Sequence, residues 1–493
     1  MRQRHLPILK PGFWEYRQFT SKQEAGYSLL PFRFIRLDGM RYVLTNECGE
    51  FCVIQRQELL HLIEHKLDGD TTIYNHLKSK HFLFDQESSV ALDLLACKIR
   101  TKFSQLKELT SLFLFVVTLR CEHSCPYCQV SRQSHDKQAF DMTIEYANKA
   151  IDFVFATPSN HVKIEFQGGE PLLNFSLIQY VVRAVEERNA TVSKDIVFVI
   201  TTNLALVTDE MLIFCRDHHI QISTSLDGPR ELHNGNRPRP GNDSYERTVS
   251  GVNLARKYLG ENAVAALMTT TEKSLTQPEA IINEYVRLGF SSIFLRSLSP
   301  YGFAVKTGAV QRYGSDGWLE FYKRGLEHIF QLNLRGHRFR EEYATLLMTK
   351  MFSPFPTSYV DLQSPAGAGL SCMVFNYDGS IYPSDESRML AEMKDYRFRL
   401  GHLSQDTFQS VITNDSLLEM LSETMAEGTP MCSDCGFLPY CGSDPVYHHA
   451  TQGDVVGRKT LSGFCHKSMG ILRHLITILE DDPDRGRILR SWL

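Results

Sequence analysis

From residue 111 onward the chain alternates between strand-like and helix-like hydrophobic periods, and this alternation constrains the fold more than any other feature. Strands are expected at Leu112–Thr118, Val162–Gln167, Asp195–Thr201, Ile220–Ser225, Val264–Thr270 and Ser292–Arg296. Between them apolar residues recur at helical spacing. Ile144, Ala147, Ile151, Val154 and Phe155 share one face, and Ile178, Val181, Val182 and Val185 share another. Successive β/α units of this kind imply an α/β fold, a parallel sheet curled into a partial (β/α)6, TIM-like barrel. Barrels of that type carry their chemistry on loops leaving the C-terminal ends of the strands. The residues of interest should therefore stand just after each strand.

The flanking regions read differently. Within residues 1–105, Phe32–Leu37 and Arg41–Thr45 alternate at period two around Asp38-Gly39, a hairpin signal. A third strand, Phe51–Ile54, precedes helical patterns at Glu58–His65 and Thr72–His81. This order suits a small winged-helix-like α+β unit, or equally a plain cap on the next domain. Residues 106–345 would form the barrel. Residues 346–493 open with a Ser-, Pro- and Gly-rich stretch (Phe352–Gly369) and end in an apolar helix, Met469–Leu479.

Charge excludes some partners. Lys+Arg (53) nearly balance Asp+Glu (57), for a net charge of −4, which disfavours a broad electrostatic grip on nucleic acid or anionic lipid. The longest greasy run, Leu112–Val117, is strand-sized and far short of the roughly 20 apolar residues that cross a bilayer. Arg2 and Arg4 precede only Leu6–Leu9 before Lys10, too short for a signal-peptide core of about 7–15 residues. A cytoplasmic location is expected, where disulfides are rare. The 12 cysteines must then be ligands, catalytic groups or core residues. Scattered Cys48, Cys52, Cys97 and Cys215 read as small buried hydrophobes.

The others cluster. Cys121-Glu-His-Ser-Cys125-Pro-Tyr-Cys128 directly follows the first barrel strand and puts three thiols on one tight loop. Three ligands suit a four-iron cubane with one iron left free for a chelating ligand, whereas structural zinc is normally closed by a fourth. Zinc stays open, with His123 or His135 as that fourth ligand. After the second strand comes Gln167-Gly168-Gly169-Glu170-Pro171, where two glycines let the backbone approach a ligand and Glu170 is placed to receive an ammonium group. Thr201-Thr202-Asn203 follows the third strand. Ser225-Leu226-Asp227 follows the fourth, with a hydroxyl and a carboxylate suited to a ribose.

Together these residues resemble the radical S-adenosylmethionine (radical SAM) superfamily: the Cys-x3-Cys-x2-Cys loop with Tyr127 before its last cysteine, then Gly-Gly-Glu-Pro, over roughly residues 110–335. The resemblance implies that Cys121, Cys125 and Cys128 bind a [4Fe-4S] cluster whose free iron chelates S-adenosyl-L-methionine. One electron then gives methionine and a hydrogen-abstracting 5′-deoxyadenosyl radical. It implies that Gln167, Gly168, Gly169 and Glu170 hold the methionyl amino end, with Thr202 and Asn203 beside them. Ser225 would contact the ribose and Leu298 would neighbour the adenine. Arg247 or Arg237 would pair with the methionyl carboxylate.

The C-terminal cysteines, Cys432-x2-Cys435-x5-Cys441 and then Cys465, resemble the SPASM extension of peptide-modifying members, including anaerobic sulfatase maturases. That extension typically holds two auxiliary clusters. Here Ala366, Ser384 and Asp444-Pro445 stand at three ligand places of the first, leaving Cys372 alone, a core thiol. One auxiliary [4Fe-4S] cluster is therefore expected, on Cys432, Cys435, Cys441 and Cys465. Asp385 matches the position of a catalytic carboxylate in sulfatase maturases and would act as a base.

Leu119–Ser131 and Asn376–Glu386 are most similar to the His-Xaa-Ser system radical maturases. That similarity implies oxidation or cross-linking of a ribosomally made precursor peptide carrying a leader, with an external one-electron donor and a second, partner maturase. The N-terminal unit would bind the leader along a strand edge. Alternatives are a sulfatase-maturase-like enzyme, a radical enzyme acting on nucleic acid or a small metabolite, and a zinc-stabilised scaffold without catalysis.

Overall fold

The structure, a computed structural model, describes residues 26–86, 90–310, 312–357 and 359–493. The Arg2–Lys10 segment considered above for a signal sequence lies outside the described residues.

One mixed sheet positions everything else. Its strands, numbered in chain order, are β1 (Leu112–Thr118), β2 (His161–Gly168), β3 (Asp195–Thr202), β4 (Gln221–Ser225), β5 (Val264–Leu267), β6 (Cys372–Phe375), β7 (Ser380–Tyr382) and β8 (Gly401–His402). Their spatial order is β5-β4-β3-β2-β1-β6-β7-β8. β1 to β6 run parallel, and β7 and β8 add antiparallel to β6. Central β1 is an unbroken apolar run, as a strand covered on both faces must be. β2 shows the period-two alternation of a strand with one dry face. Val162, Ile164 and Phe166 are buried, while Lys163, Glu165 and Gln167 face a cavity. Each of those buried side chains contributes about 1.5–3 kcal/mol.

The expected sixth barrel strand differs. Only Ser292–Ile293 is strand, and it pairs with Arg340–Glu341 outside the central sheet. β5 stops at Leu267, short of the expected Thr270, so little edge remains for a neighbour to extend. The Thr270 N–H still donates to the Arg296 carbonyl at 3.0 Å. The sixth parallel position is filled on the opposite edge by Cys372–Phe375, which pairs with β1. The parallel sheet thus recruits its last strand from the cysteine-bearing C-terminal region.

The helix Ile144–Ala156 starts where the Thr143 hydroxyl accepts from Tyr146 N–H (3.2 Å) and turns Ala147, Ile151 and Val154 inward as their spacing demands. Ile144, expected on that face, is exposed in the first helical turn. Phe153 instead packs edge-on against Phe375 of β6, with ring centroids 5.4 Å apart.

Near the N-terminus, Phe32–Arg36, Arg41–Asn46 and Phe51–Gln55 form a three-stranded antiparallel sheet followed by helices Arg56–Ile63 and Thr72–Ser79. Leu44, Ile54, Leu62 and Leu77 close its core. Its middle strand docks on the C-terminal cysteine segment. The Thr45 hydroxyl donates to Gly436 O (2.9 Å), Tyr440 OH donates to Gly49 O (2.8 Å), and Arg41 pairs with Asp481 (2.5 Å). Cys48, Cys52 and Cys215 are buried as expected, but Cys97 is exposed. It sits on an outer face of the helix Ala91–Lys102, whose one buried residue is Leu95. Among the described residues no helix is long and apolar enough to cross a membrane.

Candidate active site

The loop carrying Cys121, Cys125 and Cys128 leaves the C-terminal end of β1, and its base is clamped. Arg120 is buried and donates through Nε and Nη2 to the two Asp141 carboxylate oxygens (2.7 and 2.8 Å) and to Leu173 O (2.8 Å). The Thr118 hydroxyl donates to the same Asp141 (2.6 Å). The loop is tied by Gln133 N–H to Leu119 O (2.8 Å) and by Ser124 N–H to Pro238 O (2.8 Å). Charge-assisted forks of this kind are stronger than neutral bonds and fix direction.

The two glycines at the end of β2 form a shelf beside that loop. Gly169 N–H donates to Thr118 O (2.8 Å) and Glu170 N–H to Arg120 O (2.7 Å). A Cβ on Gly168 would overlap Thr118 O, and one on Gly169 would overlap Arg120 O. Glycine is required here for backbone-to-backbone approach.

Under the loop lies a buried polar set that sequence spacing did not reveal. Tyr127 OH donates to Asp227 Oδ2 (2.6 Å), and Arg237 Nη2 donates to Asp227 Oδ1 (3.1 Å). The Arg237 guanidinium also lies over the Tyr127 ring, 5.5 Å from its centroid. Burial opposes ionisation of Asp227, but Arg237 and His233 hold it below the usual carboxylate range. Asp227 is thus committed to loop support and is withdrawn from the ribose contact considered for it. Burial pushes the Cys125 thiol up to about 12, and Arg237 works against that rise.

The remaining expected residues fall as follows. Glu170 is buried, accepting from Thr202 Oγ1 (2.6 Å), Leu172 N–H (3.0 Å) and Asn203 N–H (2.8 Å). Burial, then the neighbouring Glu122, raises its pKa above the carboxylate range. Asn203 Nδ2 donates to Glu122 (2.9 Å) and meets His123 Nδ1 (3.0 Å), while His123 Nε2 meets Ser244 Oγ (2.8 Å). His123 is therefore engaged on both ring nitrogens, and His135 is exposed. Cys121, Glu122 and His123 do bring three donor atoms within 4.8 Å of one another. Leu298 packs with Tyr127, Ala304 and Cys125. Ser225 is half-buried at the end of β4. Arg247 lies on the helix Ser244–Leu259, paired with Asp243 (2.8 Å) and 47% exposed.

Asp385 begins the helix Asp385–Ala391, capped by the Ser384 hydroxyl accepting from Ser387 N–H (3.2 Å). Both bonds from Arg388 fall on Asp385 Oδ1 (2.9 and 2.8 Å), and Arg388 Nη1 reaches Val130 O (3.3 Å), just past Cys128. Asp385 and Gln167 line one cavity of about 730 Å³. In the C-terminal segment, Cys432, Cys435, Cys441 and Cys465 are electrostatic neighbours. After burial, the other three thiols are what push Cys465 up to about 12. Cys372 is buried against Leu114, Val116 and Val374.

A parallel sheet bearing a three-thiol loop and a glycine shelf at its C-terminal edge defines a radical SAM domain. Residues 115–282 match the family described as the radical SAM superfamily. The chain is 22% identical over 350 residues to the cysteine-type anaerobic sulfatase-maturating enzyme of Clostridium perfringens (strain 13 / Type A), covering 67% of this chain and 87% of that one. It is 23% identical over 238 residues to the radical SAM cyclopropyl synthase TigE of Paramaledivibacter caminithermalis, covering 45% of this chain and under half (47%) of that relative. Among solved structures, native anSMEcpe with bound AdoMet superposes with a TM-score of 0.63 at 17% identity, over 78% of this chain and 99% of that one. Streptococcus suis SuiB bound to the precursor peptide SuiA gives 0.51 at 13%, over 87% and 98%. Residues 115–282 therefore form a radical SAM domain, and the chain is similar in sequence to anaerobic sulfatase-maturating enzymes and to a radical SAM cyclopropyl synthase. Such a domain implies a [4Fe-4S] cluster and S-adenosylmethionine. The donor set fits: three soft thiols share one clamped loop, beside a shelf no Cβ would permit.

Proposed function

We propose that this protein is a peptide-modifying radical SAM enzyme acting on a leader-bearing precursor of the His-Xaa-Ser type. One observation carries the reading: Gln167, from the cofactor loop, and Asp385, the candidate base, face the same cavity of about 730 Å³. Cys121, Cys125 and Cys128 would hold the cluster, and Gln167 to Glu170, Thr202, Asn203, Ser225 and Leu298 would surround S-adenosylmethionine. When bound, the pair supplies a carbon radical able to take hydrogen from an unactivated C–H bond. Arg388 occupies Oδ1 of Asp385, leaving Oδ2 to accept the proton a substrate loses on oxidation. Arg120, Asp227 and Arg237 keep the thiol loop in register and take no part in proton movement.

Cys432, Cys435, Cys441 and Cys465 support a single auxiliary [4Fe-4S] cluster. Ser384 and Asp444, at places where the extension ordinarily has cysteine, both serve as helix N-caps, which favours this reading over a full sulfatase-maturase pair of clusters. A leader would pair with the three-stranded N-terminal sheet, and relatives solved with peptides (SuiB with SuiA, anSMEcpe with Kp18Cys peptide) support a peptide substrate. Under dithionite, the anaerobically reconstituted protein is expected to release 5′-deoxyadenosine. Co-expression should give a precursor peptide of altered mass. A colourless preparation that releases none refutes the radical assignment, and an unmodified peptide refutes the substrate.

A further inference from the structure

A second, smaller cavity of about 100 Å³ adjoins the large one and lies outside the site described above. The two share Arg296, Tyr359, Asp361 and Glu386 in their linings, so groups seated in each would be neighbours. Asp361, Glu386 and Asp444 line it, all half-buried. Two resident cations face them. Arg296 lies 3.7 Å from Glu386, and Lys467 donates to Ser297 Oγ (2.7 Å) with its ammonium over the Trp318 ring. Asp385 is already matched by Arg388. Three carboxylates against two cations leave one negative charge uncompensated in a partly desolvated recess, which is costly unless a further cation enters. Burial raises all three acids toward the protonated form, and repulsion from neighbouring acids, Asp361 foremost, adds to it at Glu386 and Asp444, while Arg296 and Lys467 work against it at Asp361.

A second observation is independent of charge. Tyr301 OH and Trp318 Nε1 line the same recess, their residues 1% and 4% exposed, and neither has a hydrogen-bond partner among the described residues. Buried polar groups are almost always paired. Two orphaned donors beside an excess of carboxylates point to an occupant with acceptors as well as positive charge. Tyr343, Tyr359 and Phe294 add ring faces of the kind that receive organic cations. A bare metal ion does not suit. Among the described residues, the grouping of three such donors within 4.8 Å is Cys121, Glu122 and His123, not these acids.

We propose that this recess is an anchor subsite for a cationic side chain of the peptide substrate (amine, guanidinium or imidazolium), with adjoining peptide carbonyls satisfying Tyr301 and Trp318. The inference rests on the peptide-modifying reading and deepens it. Asp444 lines this recess and Ser384 the large cavity beside it, two places where the extension ordinarily has cluster ligands. An anchor here would hold the neighbouring substrate residue in the large cavity near Asp385.

The test uses the full-length reconstituted protein and blocked tripeptides with central Arg, Lys, His or neutral citrulline, with binding measured by calorimetry. At least one cationic peptide is expected to bind about tenfold more tightly than the citrulline peptide. Asp444→Asn should abolish that preference. Its Oδ1 caps the helix Pro445–Gln452 by accepting from Tyr447 N–H (2.9 Å), and asparagine caps equally well, so the variant removes charge and keeps structure. Should it still fail to fold, Glu386→Gln carries the same comparison. Equal affinities for all four peptides, or a preference that survives both variants, overturn the proposal. Peptide-independent cleavage of S-adenosylmethionine, measured on the same samples, separates the two readings. Equal affinities for the four peptides in the unaltered protein, with cleavage intact, strike the anchor alone, whereas absent cleavage in that protein strikes the parent reading.

Discussion

Removing Arg237 tests whether the pair beneath the cysteine loop is structural. Asp227 is fully buried and has one cationic partner at hydrogen-bond distance, so Arg237→Leu leaves a carboxylate stranded. Breaking such a pair from one side costs about 3–5 kcal/mol. With a urea m-value of about 3 kcal/mol/M for a domain this large, the midpoint of the transition containing the central sheet should fall by about 1–1.7 M. The double variant Asp227→Asn/Arg237→Leu should recover most of that loss, because neither charge is then stranded. Arg247→Gln is the control. Its pair with Asp243 is half-exposed, worth at most about 1 kcal/mol, and should move the midpoint little. Circular dichroism of the metal-free proteins reads the midpoints, and iron counting after reconstitution reads the loop. A midpoint shift below about 0.3 M for Arg237→Leu, or no recovery in the double variant, refutes the argument from stranded charge. A raised KM for S-adenosylmethionine in Arg247→Gln would support the pairing with the methionyl carboxylate expected for that arginine.

Three further outcomes are expected. Cys465→Ser should lower iron from about eight per chain to about four while peptide-independent cleavage of S-adenosylmethionine persists; unchanged iron refutes the auxiliary site. Asp385→Asn should keep that cleavage but slow peptide product formation by about 10²–10⁴-fold, measured by mass spectrometry, and an unaffected rate removes Asp385 from the chemistry. Buried His233 is pushed down to about 3, and His448 and His474 to about 4, each mainly by burial. Because these folded values lie below the unfolded value of about 6.5, the unfolded chain takes up protons first as pH falls. The three imidazoles therefore withdraw stability from about pH 6.5 downward, while the buried acids raised in the folded state act in the opposite sense. His474→Gln should accordingly raise the urea midpoint at about pH 4–5, relative to the unaltered protein, more than at about pH 8, and an unchanged pH dependence contradicts the assignment.

The strands β1 to β4 were legible because each combines an apolar run with a turn signal, and their ends fall within a residue or two of expectation. The thiol loop and the glycine pair were legible because their spacing is local. What escaped is what folding brings together from afar. Arg120 and Asp141 stand 21 residues apart, Tyr127 and Asp227 stand 100 apart, and no periodicity links them. Cys372–Phe375 escaped for the same reason. Four residues of strand propensity do not say which edge of which sheet they join.

Glu170 shows how much of a motif residue's bonding capacity the fold itself takes up. A carboxylate has about four acceptor sites. In this structure three are filled by Thr202, Leu172 and Asn203, and the second acid, Glu122, stands close enough to raise the Glu170 pKa. A group so engaged has about one site left for an incoming ammonium. On the proposed role, the attraction would be mainly electrostatic, drawn from Glu122, which, burial notwithstanding, His123 and Asn203 keep below the usual carboxylate range, with Glu170 ionising as the cation arrives. That pairing makes the site self-consistent. Two buried carboxylates are unfavourable in an empty pocket, and a bound cation relieves the repulsion in proportion to the charge it brings. The same logic governs the recess around Asp361, Glu386 and Asp444. Acids crowded beyond their resident cations, with orphaned donors beside them, describe a protein whose best-stabilised state is the one holding its ligands.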